Sequence, residues 1–371
     1  MSYYLDYSAS TPLLSQVKQK LESILSVYGN PSSLHQEGLK AKEEILEAKN
    51  IISNKLKVLP DEIYFTSGAT FSNNQAIQGF LQYHKLTYPH VVTSSIEHDD
   101  IYLILEEYPR DLKHYISCDK YGKLNINELE YILDRLKDEI VLLSIQWANN
   151  EMGVIQDMKT IASIVNQYPN AYLHTDATQF MPYFPIDLSS ISIDMLSMSA
   201  QKIGGLKGTG LLFKKNSIHL TPLIYGDQGL IGGTENVPGI ACLGEAFKCL
   251  DYSIVDDIKN KRNYFYNIIK DLGILVGSFD NRLPNNINMI FEGVNGEELQ
   301  ALLSGMDIYV STGSACSSYS DEPSHTLTAL GYNKKQSQSS IRFSLGKDIT
   351  YNDLDYVAER IKFCLDILKN K

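Results

Sequence analysis

The sequence predicts an α/β protein: a large domain on a mostly parallel seven-stranded sheet flanked by helices, plus a smaller α/β domain. Three observations predict it. From about residue 60 to 215, short runs of strand length alternate with amphipathic segments of helix length. After Thr234 that rhythm gives way to a long helical stretch and then a second group of strand-like runs. Several strand-like runs also end in polar residues that do not suit a core, and ligands of parallel sheets sit at those carboxyl ends.

Taken in order, the strand patterns of the large domain are Glu62–Thr66, Val91–Ser95, Leu112–Ile116, Ile140–Ile145, Tyr172–Thr175, Ile193–Ser197 and Gly210–Phe213. Helical patterns such as Ile126–Leu136 and Met158–Asn166 lie between them. A helical stretch over about Glu235–Leu272 leads to strand patterns at Ile287–Phe291, Ile308–Val310 and Ser340–Leu345. Helices are expected at Gly296–Ser304 and Tyr351–Asn370. The domain expectation is an N-terminal segment, 1–15, joining the small domain; a large domain, 16–250; and a small C-terminal domain, 251–371. No repeat or low-complexity tract interrupts this order.

Composition narrows the function classes. With 43% hydrophobic and 21% charged residues, the chain is of ordinary globular make-up. A net charge of −11 disfavours direct nucleic-acid binding, which needs clustered Lys and Arg. The opening residues MSYYLDYSAS lack the basic and apolar regions of a signal peptide. No apolar run approaches the roughly 20 residues that span a bilayer. Five cysteines without CxxC spacing point to free thiols, no cysteine-rich metal site and a reducing, cytoplasmic setting. Cys118, Cys242, Cys249 and Cys364 read as core or half-buried residues. Cys316 stands apart, in the small polar loop Ser311-Thr312-Gly313-Ser314-Ala315-Cys316-Ser317-Ser318.

Three strand ends carry chemistry. Thr66-Ser67-Gly68-Ala69-Thr70 opens a helix near Phe71-Ser72, where free backbone N–H groups and the helix dipole suit an anion. Alone, it is also an ordinary helix N-cap. His174-Thr175-Asp176-Ala177-Thr178-Gln179 sets a carboxylate just past a strand, suited to holding a protonated ring nitrogen, with Gln179 able to return to the same place. Alone, Asp176 is better explained as a cap for a following helix. Ser199-Ala200-Gln201-Lys202-Ile203-Gly204-Gly205 puts a lysine between a buried strand and a glycine pair, where a Schiff-base lysine would be partly desolvated. A single lysine after a strand is usually solvated. The conjunction of an anion loop, Asp176, Ser199-x-x-Lys202 and a loop cysteine changes that balance.

These residues, with others in the same order, resemble the NifS/IscS-type cysteine desulfurases. That family lies in the class V aminotransferase group with the type I fold of pyridoxal-phosphate (PLP) enzymes. The resemblance covers nearly the whole chain. It runs from Tyr4-Leu5-Asp6-Tyr7-Ser8-Ala9-Ser10-Thr11-Pro12 and Gly29-Asn30-Pro31-Ser32-Ser33-x-His35 through Glu97-His98 and Asn149-Asn150-Glu151-Met152-Gly153-Val154. It closes with Gly232-Gly233-Thr234-Glu235-Asn236-Val237, Gly313-Ser314-Ala315-Cys316 and Ser340-Ile341-Arg342-Phe343-Ser344-Leu345-Gly346.

The resemblance implies roles. Lys202 would hold PLP and move the substrate Cα proton; Asp176 would pair with the ring nitrogen and Gln179 with the phenolic oxygen. His98 would stack on the ring and assist proton transfer. Ala69, Thr70, Ser199 and Gln201 would lie at the phosphate, with Thr234 reaching in from a second subunit of a homodimer. Asn150 and Arg342 would receive the carboxylate of L-cysteine. A planar fork suits a carboxylate better than an ammonium does, and Arg342 is one of only six arginines among 33 basic residues. Cys316 would take the sulfur as a persulfide, release alanine and pass the sulfur to an acceptor protein. No metal is implied.

The sequence departs from the family pattern in three places. Gln201 stands where a histidine usually precedes the lysine, Phe71 where an acid follows Gly-Ala-Thr, and Ile231 where an arginine is usual. The stretch Tyr225-Gly226-Asp227-Gln228-Gly229-Leu230-Ile231 also lacks the family's Gln-Glu pair. The short end at Lys371 favours a dedicated acceptor, in tRNA thiolation, thiamine synthesis or DNA phosphorothioation, over general iron–sulfur scaffold loading. Three other readings compete: a selenocysteine lyase, a class V aminotransferase, and a catalytically weak homologue kept as a binding partner. The Cys316 loop argues against the first two. Lys202, Asp176, Arg342 and Cys316 together argue against the third.

Overall fold

The computed structural model describes residues 2–226, 229–312 and 323–370. The predicted Cys316, its neighbours in 313–318, and Asp227-Gln228 lie outside the described residues.

The strands in chain order are β1 Tyr3–Tyr4, β2 Ile63–Thr66, β3 His90–Ser94, β4 Lys113–Ile116, β5 Val141–Ser144 and β6 Ala171–Asp176. They continue with β7 Met195–Ser199, β8 Gly210–Lys214, β9 Ile274–Leu275, β10 Asn286–Ile290, β11 Ile308–Tyr309 and β12 Ser340–Ser344. A seven-stranded sheet has the order β2-β8-β7-β6-β5-β3-β4. Its pairs are parallel except the two made by β8, which is antiparallel to both neighbours.

Alternation along these strands buries both faces. Val141 and Leu143 face one core with Leu211 and Phe213, while Leu142 faces the other with Leu212. The helix Ala69–Tyr83 closes the second face with Ala76, Ile77 and Phe80. The helices Ile126–Arg135, Met158–Val165 and Val237–Lys248 close the first.

The sheet reverses its order of growth beside β3. The chain passes from β3 outward to β4, then returns to lay β5 on the other side and proceeds to β6 and β7. The loops leaving β3 and β5 therefore diverge and leave a crevice at the carboxyl ends. Because β8 is antiparallel, the turn that enters it at Gly208 lies on this same edge.

A second core gathers β10, β12 and the helices Val255–Ile269, Gly296–Ser304 and Tyr351–Lys369. β9, β10 and β12 form an antiparallel sheet, and β1 pairs in parallel with β11. Leu5, from the N-terminal segment, is fully buried in this core. The segment then crosses to the other core, where Thr11 N donates to Gln201 O at 2.9 Å and Leu14 N to Gly204 O at 3.1 Å.

The structure moves some expected boundaries. The strand read at Ile193–Ser197 begins and ends two residues later, because Ile191 and Ile193 anchor the approach to the sheet rather than pair within it. The long helical stretch breaks between Lys248 and Val255, where Asp251 accepts from Ser253 N at 2.9 Å and caps a short turn. No helix follows Asp176; the chain turns there, so the helix-cap explanation of that residue does not apply.

Candidate active site

The crevice is a cavity of about 660 Å³. Its walls bring together Ala69, Thr70, His98, Asn150, Asp176, Gln179, Ser199, Gln201, Lys202 and Arg342, ten of the residues singled out from the sequence. Thr234 does not line it. It is exposed on a neighbouring cavity of about 340 Å³ that shares Ser67, Phe71 and Gly208 with the first.

Local geometry explains each position. Gly68 sits at φ +147, a conformation that a side chain would strain, and no side chain among the described residues caps the helix Ala69–Tyr83 that follows. The free first-turn amides therefore face the cavity beside Ser199. A Cβ on Gly68 would stand 3.7 Å from Ser199 Oγ. Lys202 follows β7 on a single 3-10 turn, Ala200–Lys202, and its Nζ donates to Ser8 O and Ala9 O, both at 2.6 Å. Gln179 Nε2 donates to Ser8 O at 2.9 Å. The N-terminal segment thus roofs the cavity over the lysine, a feature its sequence gave no physical reason to expect.

Asp176 ends β6 and is nearly buried. Thr178 N donates to its Oδ1 and Asn73 Nδ2 to its Oδ2, both at 2.9 Å. Burial first, and then repulsion from Asp100, raise its pKa above the ordinary carboxylate value; the Thr178 and Asn73 bonds oppose this. Among the described residues no Lys, Arg or His forms an ion pair with it. His98 caps the helix Asp99–Glu106, and its Nδ1 lies 2.9 Å from Asp100 Oδ1. Burial pushes Asp100 up, but bonds from His98, Thr70 and Asn73 outweigh it and leave its pKa lowered. Glu97, fully enclosed, is pushed up to about 8, by burial first and also by Asp176 and Asp100. Its carboxylate accepts from Ser94 Oγ and, at 2.8 Å, from Gln146 N.

Arg342 lies mid-strand in β12 with a guanidinium that is almost wholly buried. One nitrogen donates to Asn150 O at 3.0 Å and another pairs with Asp6 at 2.8 Å. Arg342 and Asn150, on different cores, are thereby held together. Glu151 O accepts from Asn286 and Asn288, and its carboxylate accepts from Ser324 Oγ at 2.8 Å.

Of the departures from the family pattern, Gln201 Nε2 reaches Ala9 O at 3.5 Å, Phe71 lines both cavities and Ile231 lines the second. Sequence reasoning missed Asn73, Asp100 and Asp6 as site residues. Their only sequence signal was nearness to Thr70, His98 and Tyr4; long-range bonds reveal them.

A class V aminotransferase model matches residues 3–357. The chain belongs to the class V aminotransferase family. A cysteine desulfurase IscS of Methanosarcina thermophila is 37% identical, over 99% of this chain and 93% of that one. A solved NifS-like protein superposes with a TM-score of 0.90 at 30% identity, covering 99% and 100% of the two chains. The structure of SspA in complex with cysteine gives 0.81 at 32% identity, over 93% and 99%. The chain is thus a homologue of cysteine desulfurases along their length, as the motif order implied, and these are PLP-dependent enzymes of the class V group. Among the described residues no helix is long and apolar enough to cross a membrane.

The residues present fit the family's cofactor. A phosphate suits the open helix start with Ser199 and Thr70, a ring N–H⁺ suits the uncompensated buried Asp176, and Lys202 stands in the same cavity. Ser8 Oγ, on a lining residue, is buried with no hydrogen-bond partner among the described residues, as expected of a site shaped for a polar guest.

Proposed function

We propose that this protein converts L-cysteine to L-alanine with PLP on Lys202, leaves the sulfur on Cys316 as a persulfide and passes it to an acceptor protein. The single observation that carries the reading is that Lys202 and the buried Asp176, which has no cation partner among the described residues, line one cavity beside an uncapped helix start. A relative solved with cysteine supports the substrate.

PLP, when bound, would draw electrons from the substrate Cα so that its C–H bond can ionise. The chain's residues do the rest. The Ala69–Tyr83 amides, Thr70, Ser199 and Gln201 would hold the phosphate. Asp176 would keep the ring nitrogen protonated, and Gln179 would hold the phenolic oxygen. His98 would stack on the ring. Arg342 grips the substrate carboxylate with Asn150, sharing its fork with Asp6. Lys202 receives the Cα proton. The Cys316 thiolate would form an S–S bond to the substrate sulfur as the Cβ–S bond breaks; the released electron pair stays on Cβ, which takes up a proton, and Lys202 returns its proton to Cα to give alanine.

Separate cores support a division into a large unit, 16–250, and a small unit, 251–371, joined by 1–15. Thr234, exposed on the cavity that adjoins the site, suits a contribution to a second subunit of a homodimer. A reducing, cytoplasmic setting matches free cysteines at 118, 242, 249 and 364.

The test is the intact mass of the purified holoenzyme before and after brief exposure to L-cysteine without reductant, with alanine assayed in parallel. One added sulfur mapped to Cys316, with alanine formed, is expected. Alanine at the parent rate from Cys316→Ala would overturn the persulfide assignment.

A further inference from the structure

Behind Asp176 and Asp100, two residues that line the cavity, lies a polar group that the proposed reaction leaves unused. Asn73 sits one turn inside the helix Ala69–Tyr83 and is fully buried. Its single amide nitrogen donates to Asp176 Oδ2 at 2.9 Å and lies 3.3 Å from both oxygens of Asp100. Asp100 in turn holds His98 Nδ1 at 2.9 Å. An unbroken line of hydrogen bonds, His98–Asp100–Asn73–Asp176, therefore joins two helices to the end of β6.

This arrangement is costly for a core. Asn73 Oδ1 is buried with no partner among the described residues, a loss that an apolar side chain would avoid. Two carboxylates also stand close enough for Asp100 to raise the pKa of Asp176. An amide NH₂ has two hydrogens, and here they serve the two acids. A carbonyl, carboxylate or methyl in that place would leave the repulsion unscreened.

We infer that Asn73 is a positioning residue that couples Asp176 to the Asp100–His98 pair and lets both carboxylates stay ionised at the wall of the cavity. The inference deepens the functional reading, resting on it for the placement of the ring nitrogen at Asp176. Through Asn73, the group at the ring edge and the group on the ring face share one hydrogen-bonded frame.

A double-mutant cycle on PLP binding to the apoprotein tests it, read by equilibrium dialysis with PLP itself as probe. Asn73→Ala is expected to weaken PLP binding about tenfold in the parent, the scale of a hydrogen bond to a charged group. In an Asp100→Asn background, where no repulsion remains to screen, the same change is expected to cost under about threefold. Equal losses in both backgrounds, with PLP still bound by the parent, overturn the inference alone, because a packing role would not depend on the charge of Asp100. A parent that binds no PLP overturns the functional reading and the inference together. Should Asn73→Ala not fold, Asn73→Ser, which is too short to reach both acids, is run through the same cycle with the same criteria.

Discussion

Asp176 illustrates how much one buried charge decides. Its pKa is raised because folding removes it from water and sets it near Asp100, with no cation in return among the described residues. A protonated ring nitrogen would supply that cation, so Asp176→Ala is expected to lose most PLP affinity and lower alanine formation by about 100-fold or more. Dialysis and an alanine assay read the two effects separately. Lys202→Ala is expected to lose the visible band of the lysine-bound cofactor altogether while the fold persists, as checked by absorbance and circular dichroism. Arg342→Lys keeps the charge but gives up the planar fork that spans Asn150 O and Asp6. Its KM for L-cysteine is expected to rise about tenfold with a smaller change in kcat. An equal fall in kcat at unchanged KM would move Arg342 from substrate binding to some other task.

At the scale of elements, the site depends on how closely backbones approach. Gly210 opens β8 directly against the Gly68 turn: a Cβ there would lie 2.6 Å from Met198 O and 2.7 Å from Gly68 Cα. Gly210→Ala is therefore expected to destabilise the protein by about 1–3 kcal/mol and to disturb the helix start that faces the cavity. A urea-melt midpoint measured with and without PLP checks it; the loss should be greater in the PLP-bound form. The periodic elements here were legible from their residues. The buried run at 141–144 and the amphipathic 126–135 follow the strand and helix periods directly. The two-residue strand β9 carried no such pattern, because two residues cannot show a period; β11, equally short, was legible only as part of the longer apolar run Ile308–Val310.

Across the whole molecule, burial makes two ionisable groups oppose one another. Glu97 ordinarily titrates at 4.5 and is pushed to about 8 in the folded protein. The folded state thus holds that proton more tightly, and the associated stability is full below 4.5 and lost as pH rises through about 8. His174 is lowered from 6.5 to about 3 by burial, between Ser144 and Ser197. Its contribution is present above 6.5 and lost as pH falls toward 3. Glu97→Gln removes the first effect, so its stability relative to the parent is expected to improve from about pH 5 to about pH 8 by urea denaturation. A constant difference across that range would mean that Glu97 is ionised in the folded protein throughout.

The sequence by itself determined the architecture and where along the chain the cavity's chemical motifs lie. Strand and helix periods are local, and the motifs around Gly68, Asp176 and Lys202 sit at strand ends wherever those strands form. Only the tertiary structure decided how distant segments meet. It brought Ser8 and Ala9 over Lys202, set Asp6 against Arg342, and placed Asn73 between two acids. Those contacts join residues dozens to hundreds of positions apart, and no local pattern encodes them. They follow from the order in which the sheet is laid down, which leaves one crevice for the N-terminal segment to cross.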